Sequence, residues 1–313
     1  MRAGGNVRPL RRAALLGVAL VLAAAVVLAA APVLAAGPAR ALTLVDMLGR
    51  EVTLPAPPRR IISLVPSATE LIYALGGEDR LVGRTDYCDY PPAAKSKPSV
   101  GGMISPSLET IAMLRPDVVI ATTSGNRLET FTKLKQIGIP VYAVHAHRIA
   151  EMIDATTRLG ELTGRQAAVG PFVAGVERRL HAVADAVRPY RRPRVLYVLW
   201  PDPLLVPASG AILTELVELA GGASITAAEP GDYPRFSIEA AVARAPEVIL
   251  LARHGSRSQS PVARDKWDRL ASFPAVKNGR IHAVDGALVH RYGPRVVDGV
   301  ESLARAIHPE AFR

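Results

Sequence analysis

Hydrophobic positions follow three patterns along the chain, and each predicts a different kind of element. From Ala13 to Ala36 they run almost without interruption. In ALTLVDMLGREVTLPAPP, Ala41 to Pro58, apolar and polar residues alternate about Leu48-Gly49-Arg50, as in an exposed two-stranded hairpin. Beyond Arg59, short β-branched runs exchange with helical periodicity. RRIISLVPSATELIYALGG reads as a strand, a stop and helix cap at Pro66 and Ser67, a periodic helix, and a terminator at Gly76-Gly77.

Several of these segments occur twice. SLETIAMLRPDVVIA, Ser107 to Ala121, returns 130 positions later as SIEAAVARAPEVILL, Ser237 to Leu251. ATELIYALGG at Ala68 is echoed by LTELVELAGG at Leu213, offset by 145, and VYAV at Val141 by IHAV at Ile281, offset by 140. In both copies of the first pair, Ser and Glu open a helix in capping spacing, the helix stops before Pro116 or Pro246, and a strand apolar on both faces follows. Three echoes in one order predict an α/β fold of two similar lobes, each a mostly parallel sheet covered on both faces, with a ligand cleft between them.

The expected division is a leader over 1–41, a first lobe over 42–148, a connecting helix over 149–190 and a second lobe over 191–313. The connector shows helical periodicity in IAEMIDATTRLGELTG and VERRLHAVADAV, with Gly164, Gly170 and Pro171 expected to interrupt or kink it. A helix of that size spans on the order of 30 Å at 1.5 Å per residue and would restrain hinge motion between the lobes.

Arg2, Arg8, Arg11 and Arg12 precede the long apolar run, and Ala39-Arg40-Ala41 follows it as a small-x-small site. That is the layout of a secretory signal peptide, although the run also approaches the roughly 20 residues of a membrane anchor. Its richness in Ala rather than Leu favours cleavage. A lipid-attached leader would need a cysteine directly after the apolar run, and the one cysteine, Cys88, is far downstream and leaves no internal disulfide.

The net charge of +10 falls to +5 once residues 1–41, with five arginines and no acid, are removed. The remaining arginines are scattered without interleaved aromatics, so no nucleic-acid partner is expected. No strand is followed by GxGxxG or GxxxxGK[ST], and no nucleophile-base pair stands out, so neither a nucleotide enzyme nor a catalytic residue is expected. Cys88 reads as a packing residue rather than a nucleophile.

Open parallel sheets bind ligands outside the carboxyl ends of their strands. That rule selects Pro66, Ser67 and Ala68, Thr122 to Asn126, and His145 from the first lobe, and Trp200, His254 and Asp285 from the second. His145-Ala146-His147 lacks the accompanying carboxylates or cysteines of a metal centre, so no metal site is expected. Trp200, at a strand end before Pro201, is open to two roles, core filling and ligand stacking.

RRIISLVPSATELIYALGG, VGRTDYCDYPPAAKSKPSVGGMISPSLETIAMLRPDVVIAT and VHRYGPRVVDGVESLARAIHP resemble, in order and spacing, the periplasmic binding proteins of ABC importers for vitamin B12, ferric siderophores and haem. The likeness spans about Leu44 to Pro309, and DYCDYPP is most similar to the cobalamin-binding branch. It implies an exported, monomeric protein of the periplasm or outer face of the cytoplasmic membrane. Such a protein holds a corrinoid between its lobes and delivers it to a permease dimer, with no cofactor and no bond made or broken.

The resemblance places Glu109 and Glu239 against permease arginines. The same two acids also suit the dipole of a helix start. It places Ser67, Ala68 and Tyr87 at the ligand, with Asp285, His290 and Arg291 in a late loop that closes over it. Met103 and Thr122 stand where cobalamin proteins often carry tryptophans, and only 5% of the chain is aromatic. Tyr87 and His290 suit haem iron, and Arg291 the carboxylates of haem or an anionic siderophore, which is the alternative ligand class.

Overall fold

The structure, a computed structural model, describes residues 41–253, 267, 270 and 272–313. The leader and His254 lie outside the described residues. The chain opens with strands β1 (Leu42–Val45) and β2 (Glu51–Leu54), paired antiparallel as the alternation predicts. Asp46 closes this hairpin: its buried carboxylate accepts from the N–H groups of Leu48 and Arg50, from the Arg50 guanidinium, and from Ala143 N–H.

The first lobe alternates β3 (Ile61–Ser63), α1 (Pro66–Ala74), β4 (Leu81–Arg84), α2 (Leu108–Met113), β5 (Val118–Ala121), α3 (Leu128–Gln136) and β6 (Val141–Ala143). Its four strands pair in the order β4-β3-β5-β6, all parallel. Ile61, Ile62 and all of β5 are buried, because helices cover both faces and leave no solvated side for polar residues.

Two helices then cross to the second lobe, α4 (Ile149–Thr163) and α5 (Gln166–Val187). Gly164, in the left-handed region at φ 65°, ends the first, a conformation that suits glycine because a Cβ would strain it. The interruption expected at Gly170 and Pro171 does not occur; α5 runs through both. Both residues face solvent, so the carbonyl that Pro171 cannot bond is exposed to water rather than orphaned in a core. The crossover is therefore two helices rather than one. Ile149 and Met152 of α4 pack into the second lobe's core, whereas Leu159 and Leu162 pack into the first's.

The second lobe contains β7 (Arg194–Val198), a short β8 (Trp200–Pro201) and β9 (Leu204–Leu205) hairpin, α6 (Ile212–Leu219), β10 (Ala223–Ser224), α7 (Ile238–Ala243), β11 (Val248–Arg253), α8 (Pro274–Lys277), β12 (Ile281–Asp285), α9 (Gly286–Val289) and α10 (Val296–Ile307). Its parallel sheet has the order β10-β7-β11-β12, which matches the first lobe strand for strand.

The likeness extends to single bonds. Ser107 accepts from Thr110 N–H at 3.1 Å and Ser237 from Ala240 N–H at 3.0 Å, so both repeated serines cap their helices. Arg115 and Ala245, each before the proline that ends the helix, share a left-handed backbone at φ 44° and 45°. Arg60 Nε donates to Arg115 O at 3.0 Å, and Arg194 Nε to Ala245 O at 2.9 Å.

Candidate functional site

The carboxyl ends of β3, β5, β6 and β7 open on one cavity of about 340 Å³ between the lobes. Its first-lobe wall is the turn from β3 into α1, Val65 to Ala68 with Leu71, together with Met103, Thr122, Ser124 and Val144 to Ala146. Ala155 and Leu159 of α4 form part of its lining, and Leu199, Tyr233 and His290 to Tyr292 come from the second lobe.

The first-lobe wall is held by backbone chemistry. Pro66 occupies the first position of α1 and Val65 is its N-cap, without a side-chain cap bond. Ser67 is therefore not the cap that the sequence predicts. Proline needs no N–H partner at a helix start, so the cap falls two residues earlier, at Val65, and the Ser67 side chain lines the cavity instead. The N–H groups of Ser67 and Ala68, in the first turn, have no intrahelical acceptor.

Asn126 ties two further wall segments together. Its amide nitrogen donates to Met103 O at 2.6 Å while its amide oxygen accepts from Thr122 N–H at 2.8 Å. Met103 lies across Gly125 so closely that a Cβ there would stand 2.0 Å from its terminal methyl. Glycine is what lets this side chain reach the wall.

Two hydrogen-bonded pairs of aromatic side chains form and back the second-lobe wall. Tyr197 Oη lies 2.9 Å from His290 Nε2, and Tyr233 and Tyr292 bond through their hydroxyls. Burial pushes all three phenols above their usual range, so they stay neutral. Tyr292 holds a left-handed backbone at φ 46°, and the following Gly293 approaches Ser67 so closely that a Cβ would lie 3.3 Å from its Cα. Here the lobes are in contact.

Beside the cavity, ion pairs cross between the lobes. Glu70 of α1, 2% exposed, accepts from Arg295 Nε at 2.8 Å and Nη2 at 2.7 Å, and lies 3.4 Å from Arg291 Nη1. Asp89 accepts from the same Arg291 nitrogen, and the Arg295 guanidinium sits 3.9 Å over the Tyr90 ring. Burial raises the Asp89 carboxyl, but the hydrogen bond and charge of Arg291, with a backbone hydrogen bond and Lys95, together outweigh it and hold the group below its usual range.

Of the residues selected from sequence, Ser67, Ala68, Met103, Thr122, His290 and Arg291 meet at this cavity, and so do Ser124 and His145 from the strand-end rule. Tyr87, Trp200 and Asp285 do not line it. Tyr87 is 60% exposed, beside Cys88, which is buried, and Asp89, which pairs with Arg291. Trp200 is 47% exposed on the β8 hairpin, which excludes a core role, and its indole N–H donates to Asp202 O at 3.0 Å. Asp285 caps α9 by accepting from Ala287 N–H at 2.9 Å. Cys88 is buried beside Thr85, and burial pushes its thiol up, away from nucleophilic use.

Glu70, Tyr233 and Leu199 were not selected from sequence. For Glu70 a signal existed: the Thr-Glu-Leu of ATELIYALGG recurs in LTELVELAGG, and Glu215 there accepts from Ile149 N–H at 3.0 Å. Glu109 and Glu239 are exposed in the first turns of α2 and α7, and neither has an ion-pair partner among the described residues. The cavity is mostly apolar with a few hydroxyl, imidazole and guanidinium groups, an arrangement that orients a ligand. Among the described residues no three His, Cys, Asp or Glu side chains converge to hold a metal.

Comparison with known proteins gives concordant matches. The family model described as periplasmic binding protein matches residues 61–288. The vitamin B12-binding protein of Vibrio cholerae serotype O1 is 31% identical over 251 residues, which is 80% of this chain and 89% of that one. The crystal structure of the periplasmic vitamin B12 binding protein of Vibrio cholerae superposes with a TM-score of 0.70 at 30% identity, covering 82% of this chain and 99% of the other. The periplasmic heme-binding protein of Roseiflexus sp. RS-1, in its apo form, superposes with a TM-score of 0.71 at 27% identity, covering 81% and 99%.

Proposed function

The chain belongs to the periplasmic binding protein family, and on that premise we propose that it captures a corrinoid, vitamin B12 or a close relative, and delivers it to the permease of an ABC importer. The observation that carries this reading is the inter-lobe cavity, apolar in its walls and supplied with neutral hydrogen-bonding groups. A corrin ring presents apolar faces and a periphery of uncharged amides. Ser67, Thr122, Tyr233 and the first-turn N–H groups of α1 suit that periphery, and Ala68, Met103 and Leu159 suit the faces. The ligand named for the Vibrio cholerae relatives supports the same choice.

Delivery takes place through Glu109 and Glu239 in this reading. They occupy the same position in two helices with the same cap, so a roughly two-fold permease can present one basic site to each. The chain works outside the cytoplasm as a monomer, after cleavage of the leader over 1–41. A second reading keeps the scaffold and exchanges the ligand for haem or a ferric siderophore. The cluster of Tyr233, Tyr292, His290 and His145 at the cavity favours it, because phenol and imidazole are iron ligands.

A thermal-shift screen of the mature protein against cyanocobalamin, cobinamide, haemin and ferric siderophores tests the choice. Stabilisation by the corrinoids, rising with their concentration as binding to the native state requires, is the expected result. Stabilisation by haemin alone would transfer the function to the second reading.

A further inference from the structure

An arginine in a ligand cavity ordinarily reads as an anchor for a carboxylate or phosphate. Arg291 is the only arginine or lysine among the described residues of the cavity wall, and its surroundings point the other way. Its Nη1 is shared by Glu70 and Asp89, while Glu70 also holds Arg295 through two bonds. Two cations thus meet two anions, and the corner has no net charge. Burial lowers Arg295, but the Glu70 hydrogen bond and charge, with Tyr90 and Asp89 nearby, together outweigh it and leave it raised, and Asp89 is held below its usual range, so these two groups carry their charges at neutral pH.

We infer that Glu70 and Asp89 are specificity determinants: by neutralising Arg291 and Arg295 they set the cavity to accept an uncharged, amide-bearing ligand and to disfavour a tetrapyrrole carrying free carboxylates. This rests on the corrinoid reading above and adds the reason for it. Nε and Nη2 of Arg291 make no bond to the described residues, so they can donate to amide carbonyls while the ion pairs stay intact. A carboxylate entering the same corner meets two carboxylates already seated there and must displace one of them to gain the arginine.

The probes are haemin, which carries two carboxylates, and its dimethyl ester, which carries none. Their affinities are compared by absorbance titration for the unsubstituted mature protein, Asp89→Asn and Glu70→Gln, each checked for folding by circular dichroism. The unsubstituted protein is expected to hold the ester at least as tightly as the diacid. Asp89→Asn is expected to move the diacid-to-ester affinity ratio toward the diacid on the order of tenfold, the worth of one hydrogen bond to a charged group. Glu70→Gln should move it the same way. If Glu70→Gln does not fold, Asp89→Asn decides alone, since the Asp89 side chain is 46% exposed and its loss leaves no buried vacancy.

An unchanged ratio in folded Asp89→Asn, or no haemin binding by that protein, overturns the inference. A strong preference of the unsubstituted protein for the diacid does so too. Titration of the unsubstituted protein with cyanocobalamin is read separately. Failure there removes the corrinoid reading and leaves the charge inference to the ratio.

Discussion

Glu70 is a side chain whose loss should be felt by both lobes at once. It sits in α1 of the first lobe, 2% exposed, and its carboxylate is bonded to Arg295 of the second at 2.7 and 2.8 Å. Glu70→Gln keeps the shape and removes the charge, leaving Arg295, whose side chain is 16% exposed, without its counter-ion. Removing one partner of a buried pair costs ~3–5 kcal/mol. The Tyr90 ring under Arg295 and one surviving amide bond place this case at the lower end, about 3 kcal/mol. For a chain of this size that corresponds to a fall in Tm of roughly 6–12 °C.

The assay is a double-mutant cycle of Glu70→Gln and Arg295→Gln, with stabilities from urea unfolding of the mature protein at pH 7. Two residues acting as one cross-lobe pair should show a coupling of ~1–3 kcal/mol, with the double variant more stable than the sum of the single losses implies. A loss under ~1 kcal/mol for Glu70→Gln, or additive losses, would refute the claim that this pair joins the lobes.

Charge reversal at both Glu109 and Glu239 is expected to abolish or strongly reduce ligand uptake in cells while ligand affinity of the purified protein stays the same; uptake that survives refutes docking through these two acids. Ser107→Ala and Ser237→Ala should each lower stability by ~1 kcal/mol, as loss of an N-cap does, and clearly unequal losses in urea unfolding would contradict the equivalence of the two caps. Glu247, bonded chiefly by Arg191 against the opposing effect of burial, has its pKa lowered from 4.5 to about 2. Its contribution to stability is therefore complete above pH 4.5 and lost as pH falls through about 2, so Glu247→Gln should flatten the acid limb of a stability-pH curve over that window. A curve that keeps its slope would show that the carboxylate is not held in this way.

The two-lobe fold was legible because its signals are local. Strand and helix periods alternate, Ser107 and Ser237 stand in capping spacing, and echoes in one order leave little room for other topologies. The strand-end rule located the cavity for the same reason, since a strand's end can be read from a few residues. It did not give direction. Trp200 and Asp285 are at strand ends, but one lies on an exposed hairpin and the other turns back to cap α9.

Features that depend on distant partners were the least legible. Glu70 and Arg295 are separated by 225 positions, and nothing in ATELIYALGG says what a glutamate on that helix would face. Tyr233 lies between elements, where no period marks it. The connector shows the limit of residue-type rules from the other side. Pro171 was expected to break a helix that it leaves intact, because its exposed position lets water take the unpaired carbonyl.

Under the proposed function the inter-lobe cavity holds one corrinoid, and calorimetric titration of the mature protein with cyanocobalamin is the decisive measurement. One ligand per chain is predicted, with the affinity weakened when Ala68→Trp fills the first-lobe wall. Absence of corrinoid binding, or binding that Ala68→Trp leaves untouched, would contradict it.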